Sequence, residues 1–126
     1  MTERFILTLG TNEGYFHNNS NKMLSTEVGI LFNEIVQEYY DKHNIYVSFS
    51  ISDNKTFYSN QWGCPESGED TVVISGVCNT SFADLEIWKK AVIELTKKIK
   101  IKLKQTTCTL EFIECELIYF SEYKYE

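Results

Sequence analysis

The clearest structural signal in the chain lies in residues 81–104, SFADLEIWKKAVIELTKKIKIKLK. Apolar side chains recur there every three or four positions, which is the period of a helix with one buried face. Ser81, followed three positions later by Asp84, resembles a capping box. The stretch therefore predicts a helix over about residues 82–104, whose apolar stripe must pack on another layer. The stripe consists of Leu85, Trp88, Val92, Leu95, Ile99 and Leu103.

An earlier stretch of the chain carries the same period. Apolar residues recur at helical spacing from Val28 to Tyr39. Ser25 or Thr26 can serve as the N-cap, because both side chains can accept a hydrogen bond from the first turn. This pattern predicts another helix, over about residues 26–42.

Four further stretches have the alternation or the β-branched composition of strands. The last of them changes the phase of its alternation between Phe112 and Ile113, which predicts a β-bulge. Read in order, the predicted elements are β-α-β-β-α-β. The predicted strands are residues 5–9, 45–51, 71–77 and 107–120, and residues 56–59 can extend or follow the second one.

This element order resembles the ferredoxin-like arrangement, in which two helices pack on one face of an antiparallel four-stranded sheet. The chain has 126 residues, of which 43% are hydrophobic and 24% are charged, and these values suit one packed domain. We therefore expect a single α+β domain over residues 1–126. Such a fold hosts many unrelated functions, so function has to be argued from particular residues.

The charge of the chain is acidic overall and unevenly distributed. A net charge of -6 argues against a protein that coats nucleic acid or anionic membranes. Residues 82–104 nevertheless carry seven of the twelve basic residues. Four lysines of the predicted helix share one sector and form either a solvated surface or an anion-binding face, for a nucleic-acid backbone or an acidic protein. They are Lys89, Lys97, Lys100 and Lys104.

Cysteine usage and hydropathy bear on the compartment. No stretch of the sequence reaches the roughly 18 apolar residues that span a bilayer, and the N-terminus does not resemble a signal peptide. We expect free thiols in a reducing cytoplasm and no contact with a membrane. No CxxC pair, HxxxH pair or phosphate-binding loop is present, so we expect neither a metal nor a cofactor. The four cysteines are Cys64, Cys78, Cys108 and Cys115.

The sequence offers no convincing catalytic residue. Cys64 lies in an irregular loop, but the acidic residues that follow it would repel a thiolate, so we predict a structural thiol. Glu114 and Glu116 share one face of the last strand, where carboxylates more often face solvent than form an acid-base pair. No catalytic site is therefore predicted.

The loop over residues 60–70 is the best candidate for a binding surface. It combines three acidic residues with exposed aromatic side chains, which commonly anchor protein interfaces. Carboxylates of this kind can occupy a basic cleft that otherwise binds phosphate. The predicted partner-binding residues are Tyr58, Trp62, Glu66, Glu69 and Asp70.

These observations predict a non-enzymatic binding protein that acts through a protein partner, for example a small inhibitor, an immunity protein or a phage accessory (anti-defence) protein. The composition is rich in residues with AT-rich codons, which suits a low-GC bacterium or its phage. We expect no direct binding of nucleic acid, and a homodimer is left open. The alternative is a dimeric enzyme, or a protein that binds a small ligand or nucleotide, with a pocket near the 60–70 loop.

Overall fold

The structure, a computed structural model, describes residues 1–11 and 24–122. It confirms the predicted α+β class and the β-α-β-β-α-β order. A short 3-10 turn lies between the second and third strands at Asn60–Trp62. The elements are β1 (Thr2–Gly10), α1 (Leu24–His43), β2 (Ser50–Thr56), β3 (Glu69–Val77), α2 (Leu85–Lys102) and β4 (Cys108–Cys115).

The four strands form one antiparallel sheet in the order β2-β3-β1-β4. β1 is central, with β3 on one side and β4 on the other. Because all neighbours run antiparallel, the last residues of β1 and β2 lie beside the first residues of β3 and β4. Gly10 pairs with Thr71 and Thr56 pairs with Glu69 at this end of the sheet. It is the end that carries the candidate site.

The core lies between the two helices and one face of the sheet. Leu7 and Ile74 point into it from neighbouring strands and are fully buried. The ring of Trp88, on α2, lies 5.8 Å from that of Phe5 and 6.2 Å from that of Phe112, measured between centroids. The stripe on α2 therefore packs on the sheet as its spacing predicted. In β3 the core takes Val72 and Ile74, whereas Val73 points to the other face.

The helices begin and end close to the predicted positions. α2 begins at Leu85 rather than at residue 82, because Asp84 and not Ser81 is its N-cap and accepts a hydrogen bond from the Ile87 N–H at 3.1 Å. The first turn of α1 is bonded from outside the helix. Ser25 donates from its N–H and from its hydroxyl to the two carboxylate oxygens of Asp53, each over 2.9 Å. A residue of β2 thus ties α1 to the sheet.

The second strand starts later than the alternation predicted. Residues 45–49 alternate between exposed side chains and side chains that are at least half-buried, with Val47 fully buried, but they are not paired in the sheet. β2 begins at Ser50, and residues 57–59 lie outside it. The alternation therefore reports the burial of an extended segment and not strand pairing.

The predicted bulge in the last strand is wrong. β4 pairs with β1 in continuous register, with Phe112 opposite Phe5 and Ile113 opposite Arg4. Ile113 is an exposed apolar residue on the outer face of the sheet. In the sequence, its apolar side chain made the alternation look shifted by one residue. β4 also ends at Cys115, where its pairing with Thr2 is the last of the ladder, and not at residue 120.

Two further findings concern the cysteines and the membrane. All four cysteines are free, as predicted. Burial raises the pKa of the Cys78 thiol, an effect that a hydrogen bond with Thr2 partly offsets. Within residues 1–11 and 24–122, neither helix has the length and apolarity needed to cross a bilayer.

Candidate active site

A cleft of about 600 Å³ opens at the end of the sheet where β1 ends and β3 begins. We call it the Gly10 cleft. Residues from the ends of all four strands, from the loop after β2 and from the turn after α2 line its walls. Its volume is in the usual range for small-molecule sites. Many of its polar groups are hydroxyls, contributed by Thr8, Thr56, Thr71, Thr106, Thr107 and Thr109.

Two side chains converge on the backbone of Gly10. A Cβ added to Gly10 would collide with Oε2 of Glu69 and would stand 2.7 Å from Oε1 of Gln105. Both oxygens therefore occupy space that only a glycine leaves free. The carboxylate and the amide oxygen consequently lie close to each other in the cleft.

The end of α2 brings Gln105 to this position. Lys104 adopts a left-handed backbone conformation with φ of 57°, which terminates the helix. The Gln105 N–H then donates to the carbonyl of Lys100 over 3.0 Å, and its side-chain Nε2 donates to the carbonyl of Leu103 over 3.1 Å. Since its Nε2 is held by the helix end, the side-chain oxygen of Gln105 is directed toward Gly10.

Glu69 and Lys104 are the charged residues among the described lining residues. Neither side chain forms an ion pair or a hydrogen bond within residues 1–11 and 24–122. The neighbour of Glu69 behaves differently, because Asp70 pairs with Lys55 at 2.6 Å. The cleft thus presents one negative and one positive group that are available to a ligand.

The loop between β2 and β3 is held together by the thiol of Cys64. The Tyr58 N–H donates to Sγ of Cys64 over 3.4 Å, and the thiol donates to the carbonyl of Pro65 over 3.4 Å. Cys64 thus takes part in the hydrogen bonding of its loop, and its lack of reactivity stays a prediction. These contacts also fix the backbone of Tyr58 at the wall of the cleft.

Trp62 lies in the same loop, at the end of the 3-10 turn. Oγ of Ser59 accepts from the Gln61 N–H over 3.2 Å, and Gly63 ends the turn with φ of 89°. The turn therefore defines where Trp62 is attached, while its side chain remains 78% exposed. Trp62 lines the cleft and leaves one flat aromatic surface available.

The structure divides the residues predicted to bind a partner. Tyr58, Trp62 and Glu69 come together in the Gly10 cleft. Glu66 is exposed and does not line the cleft, and Asp70 is engaged by Lys55. The acidic loop is therefore not one continuous docking surface.

The predicted anion-binding face of α2 is also divided. Nζ of Lys89 lies 3.1 Å from Oε1 of Glu3 and 4.9 Å from the ring centroid of Phe112. Lys97 approaches Glu94 at 4.0 Å. Of the four lysines, Lys104 alone reaches the cleft.

Lys100 lies close enough to Cys108, another residue of the cleft wall, to influence its thiol. Burial raises the pKa of the Cys108 thiol, and the positive charge of Lys100 opposes this only in part. The thiol is therefore neutral at neutral pH and is not an activated nucleophile. Within the part of the chain that the structure describes, no three side chains of His, Cys, Asp or Glu are grouped as metal ligands.

The sequence reasoning missed Gly10, Gln105 and the threonines of the cleft. A signal for them exists in the turn after α2, where Thr106, Thr107 and Thr109 follow Gln105. Read as the start of a strand, this run gave no indication of a binding site. These hydroxyl groups indicate a binding site only once the fold places them in the same cleft as Glu69.

A sequence model describing SAM lyases matches residues 1–121. The chain belongs to the SAM lyase family. The match extends over all six helices and strands and over every lining residue of the Gly10 cleft.

Solved structures of phage proteins share this fold. A phage SAM lyase in the apo state is 15% identical, with a TM-score of 0.61 over 88% of this chain and 78% of that one. A phage SAM lyase in complex with S-methyl-5'-thioadenosine is 14% identical, with a TM-score of 0.55 over 90% of this chain and 81% of that one. Comparison with curated proteins gives no match.

Membership of the SAM lyase family overturns the prediction of a non-enzymatic binding protein. The interpretation as an inhibitor or an immunity protein is overturned for the same reason. Their physical basis was an acidic aromatic surface, and three of its five residues instead line a concave cleft. The enzyme alternative agrees with the family. A protein partner, a homodimer and the absence of direct nucleic-acid binding stay predictions.

Proposed function

We propose that this SAM lyase family member cleaves S-adenosylmethionine in the Gly10 cleft. The bond that breaks joins the sulfonium sulfur to Cγ of the methionine portion, and S-methyl-5'-thioadenosine is released. The observation that carries the proposal is the family match over residues 1–121, which includes the whole cleft. Its support from a relative is the complex of a phage SAM lyase with S-methyl-5'-thioadenosine.

The chemistry of the cleft suits this substrate. S-adenosylmethionine carries an ammonium group, a sulfonium group and a carboxylate at one end and a flat adenine at the other. The carboxylate of Glu69 complements positive charge, and the exposed ring of Trp62 can stack on adenine. The threonine hydroxyls can hydrogen-bond the ribose.

Two reaction routes conserve the electrons without the participation of water. In both, the pair of the carbon–sulfur bond moves onto sulfur, which becomes a neutral thioether. In the first route, an oxygen of the substrate's own carboxylate attacks Cγ, and a lactone forms. Alternatively, a base removes a proton from Cβ and the freed pair forms a double bond, which gives vinylglycine.

The loss of charge at sulfur limits the role of Glu69. A carboxylate placed against the sulfonium would stabilise the bound substrate more than the transition state, in which that charge is disappearing. The ammonium group keeps its charge throughout the reaction. We therefore assign Glu69 to the ammonium group, where its attraction does not oppose the chemical step.

The test is to incubate the purified protein with S-adenosylmethionine and to follow both products by chromatography and mass spectrometry. Glu69→Gln keeps the size of the side chain but removes its charge, so we expect kcat/KM to fall by about tenfold or more. Glu66→Gln is the matched control, since Glu66 is an exposed carboxylate of the same loop outside the cleft. It should leave the rate unchanged.

The second product distinguishes the two routes. A lactone with Glu69→Gln acting mainly on KM indicates internal displacement, whereas vinylglycine with a collapse of kcat indicates that Glu69 is the base. Homoserine carrying ¹⁸O from labelled water in its hydroxyl group would show hydrolysis and contradict a lyase. The proposal also fails if the wild-type protein releases no S-methyl-5'-thioadenosine.

A further inference from the structure

Lys104 reaches the Gly10 cleft because of the way α2 ends. Its φ of 57° is uncommon for a residue with a side chain. The conformation is held by the hydrogen bond from the Lys104 N–H to the carbonyl of Ile101, over 3.0 Å. The chain turns at this point, and Lys104 lines the cleft next to Gln105.

The charge of Lys104 is not neutralised by the described part of the protein. Lys55 and Lys89 each have a carboxylate within 3.1 Å, whereas no carboxylate of residues 1–11 and 24–122 lies within 4.0 Å of the Lys104 ammonium group. Glu69 shares the cleft with Lys104, but the two do not form an ion pair. Two residues of opposite charge thus line one cleft, and neither forms an ion pair within the described residues.

Such a pair of separated opposite charges matches the amino-acid end of the proposed substrate. An α-amino acid carries its ammonium group and its carboxylate on the same carbon, so it can meet both protein charges at once. With Glu69 on the ammonium group, Lys104 is the complementary group for the carboxylate. In the lactone route one carboxylate oxygen attacks Cγ, so Lys104 holds the other oxygen and contributes to substrate binding rather than to the rate of the chemical step. On the basis of the proposed function, we infer that Lys104 binds the substrate carboxylate and selects substrates that possess one.

Decarboxylated S-adenosylmethionine separates this role from general attraction to the ligand. It keeps the adenine, the sulfonium and the amine but lacks the carboxylate that Lys104 would bind. Loss of Lys104 should therefore weaken the binding of S-adenosylmethionine and leave the binding of the decarboxylated compound unchanged. A hydrogen bond to a charged group typically contributes enough for about a tenfold effect or more.

A lysine after a helix could also act simply by stabilising the negative end of the helix dipole. Lys102 can stabilise the helix dipole in the same way, because it is the last residue of α2 and is exposed. It does not line the cleft. Lys102→Asn is therefore a matched control for the loss of one positive charge at this helix end.

The experiment compares wild type, Lys104→Asn, Lys104→Arg and Lys102→Asn. Asparagine tolerates the left-handed backbone, so Lys104→Asn removes the charge without introducing strain. We expect its KM for S-adenosylmethionine to rise by about tenfold or more, while the inhibition constant of the decarboxylated compound stays the same. Lys104→Arg should restore most of the loss, and Lys102→Asn should behave as wild type.

An unchanged KM in Lys104→Asn, or an equal change for both compounds, would overturn the inference. Thermal unfolding checks that each variant is folded, and Lys104→Gly is the second variant if asparagine is not tolerated. Failure of the proposed function can be distinguished from failure of this inference, because in that case the wild-type protein would leave S-adenosylmethionine intact. In that case the dissociation constants of both compounds, measured by calorimetry on the same variants, decide the role of Lys104 separately.

Discussion

The carboxylate of Glu69 occupies the space into which a side chain at Gly10 would project. Gly10 is the last residue of β1, and Glu69 is the first residue of the neighbouring β3. The amide oxygen of Gln105 approaches the same point from the end of α2. The position of the carboxylate proposed to bind the substrate thus depends on the absence of a single methyl group.

Gly10→Ala should therefore impair the reaction while leaving the fold intact. The added methyl group displaces the flexible ends of Glu69 and Gln105, so we expect kcat/KM to fall by about tenfold. Alanine is acceptable in a strand, so the free energy of unfolding should change by less than about 1 kcal/mol. Gly29→Ala, on α1, is the control and should retain full activity. Normal kinetics in Gly10→Ala would refute the assigned position of Glu69.

Trp62 should report the binding of adenosine compounds by fluorescence. The chain has two tryptophans, and Trp88 is only 3% exposed, so quenching by a ligand in the cleft should come from Trp62. We expect S-methyl-5'-thioadenosine to quench the wild type and not Trp62→Phe. Trp62→Ala should weaken binding by roughly 5- to 150-fold, as expected for the loss of one base-stacking contact. Equal quenching in Trp62→Phe would exclude this contact.

Leu95→Ala tests the packing of α2 on the sheet. Leu95 is 1% exposed, so the substitution leaves a cavity and should lower the free energy of unfolding by about 2–5 kcal/mol. Ile101, on the same helix, is 75% exposed, and Ile101→Ala should cost less than about 0.5 kcal/mol. Urea denaturation measures both. A similar small loss in the two variants would mean that the apolar stripe is not buried.

The Cys78 thiol should be protected in the folded protein. Burial raises its pKa, so the native state prefers the neutral thiol. The contribution of this group to stability is present below about pH 9 and is lost as the pH rises through its folded-state pKa. We expect iodoacetamide to modify Cys78 slowly at pH 8 in the native protein and rapidly in urea, as mass spectrometry would show. Fast native modification at neutral pH would contradict this assignment.

The helices could be predicted closely because their periodicity and their burial have the same cause. Leu95 and Ile99 recur at helical spacing since both face the sheet. The strands were less predictable, because alternation reports which side chains are buried and not which backbones are paired. Val47 is buried in an unpaired segment, and Ile113 is apolar on an exposed face.

The site could be predicted only in part. Tyr58, Trp62 and Glu69 stood out because they crowd into one irregular loop. Their use as a cleft wall depends on Lys104, which is 35 positions after Glu69 in the chain. Lys104 appeared in the sequence as one lysine among seven on a helix, and only the left-handed turn after α2 separates it from the others. The location of this charge in the cleft therefore depends on the fold and could not be predicted from the composition.

The placement of the cleft at the ends of the strands has a consequence for divergence. Core positions such as Leu7 and Ile74 are constrained by their neighbours in the packed interior, whereas the cleft is built from turns and strand ends. Selection can therefore exchange the ligand-facing residues without disturbing the scaffold. A solved structure that is 15% identical, with a TM-score of 0.61, shows that this architecture accepts wide changes of sequence. Libraries that randomise residues 105–107, and that keep at position 104 residues tolerating the left-handed backbone, should accordingly yield mostly folded proteins with altered choice of ligand.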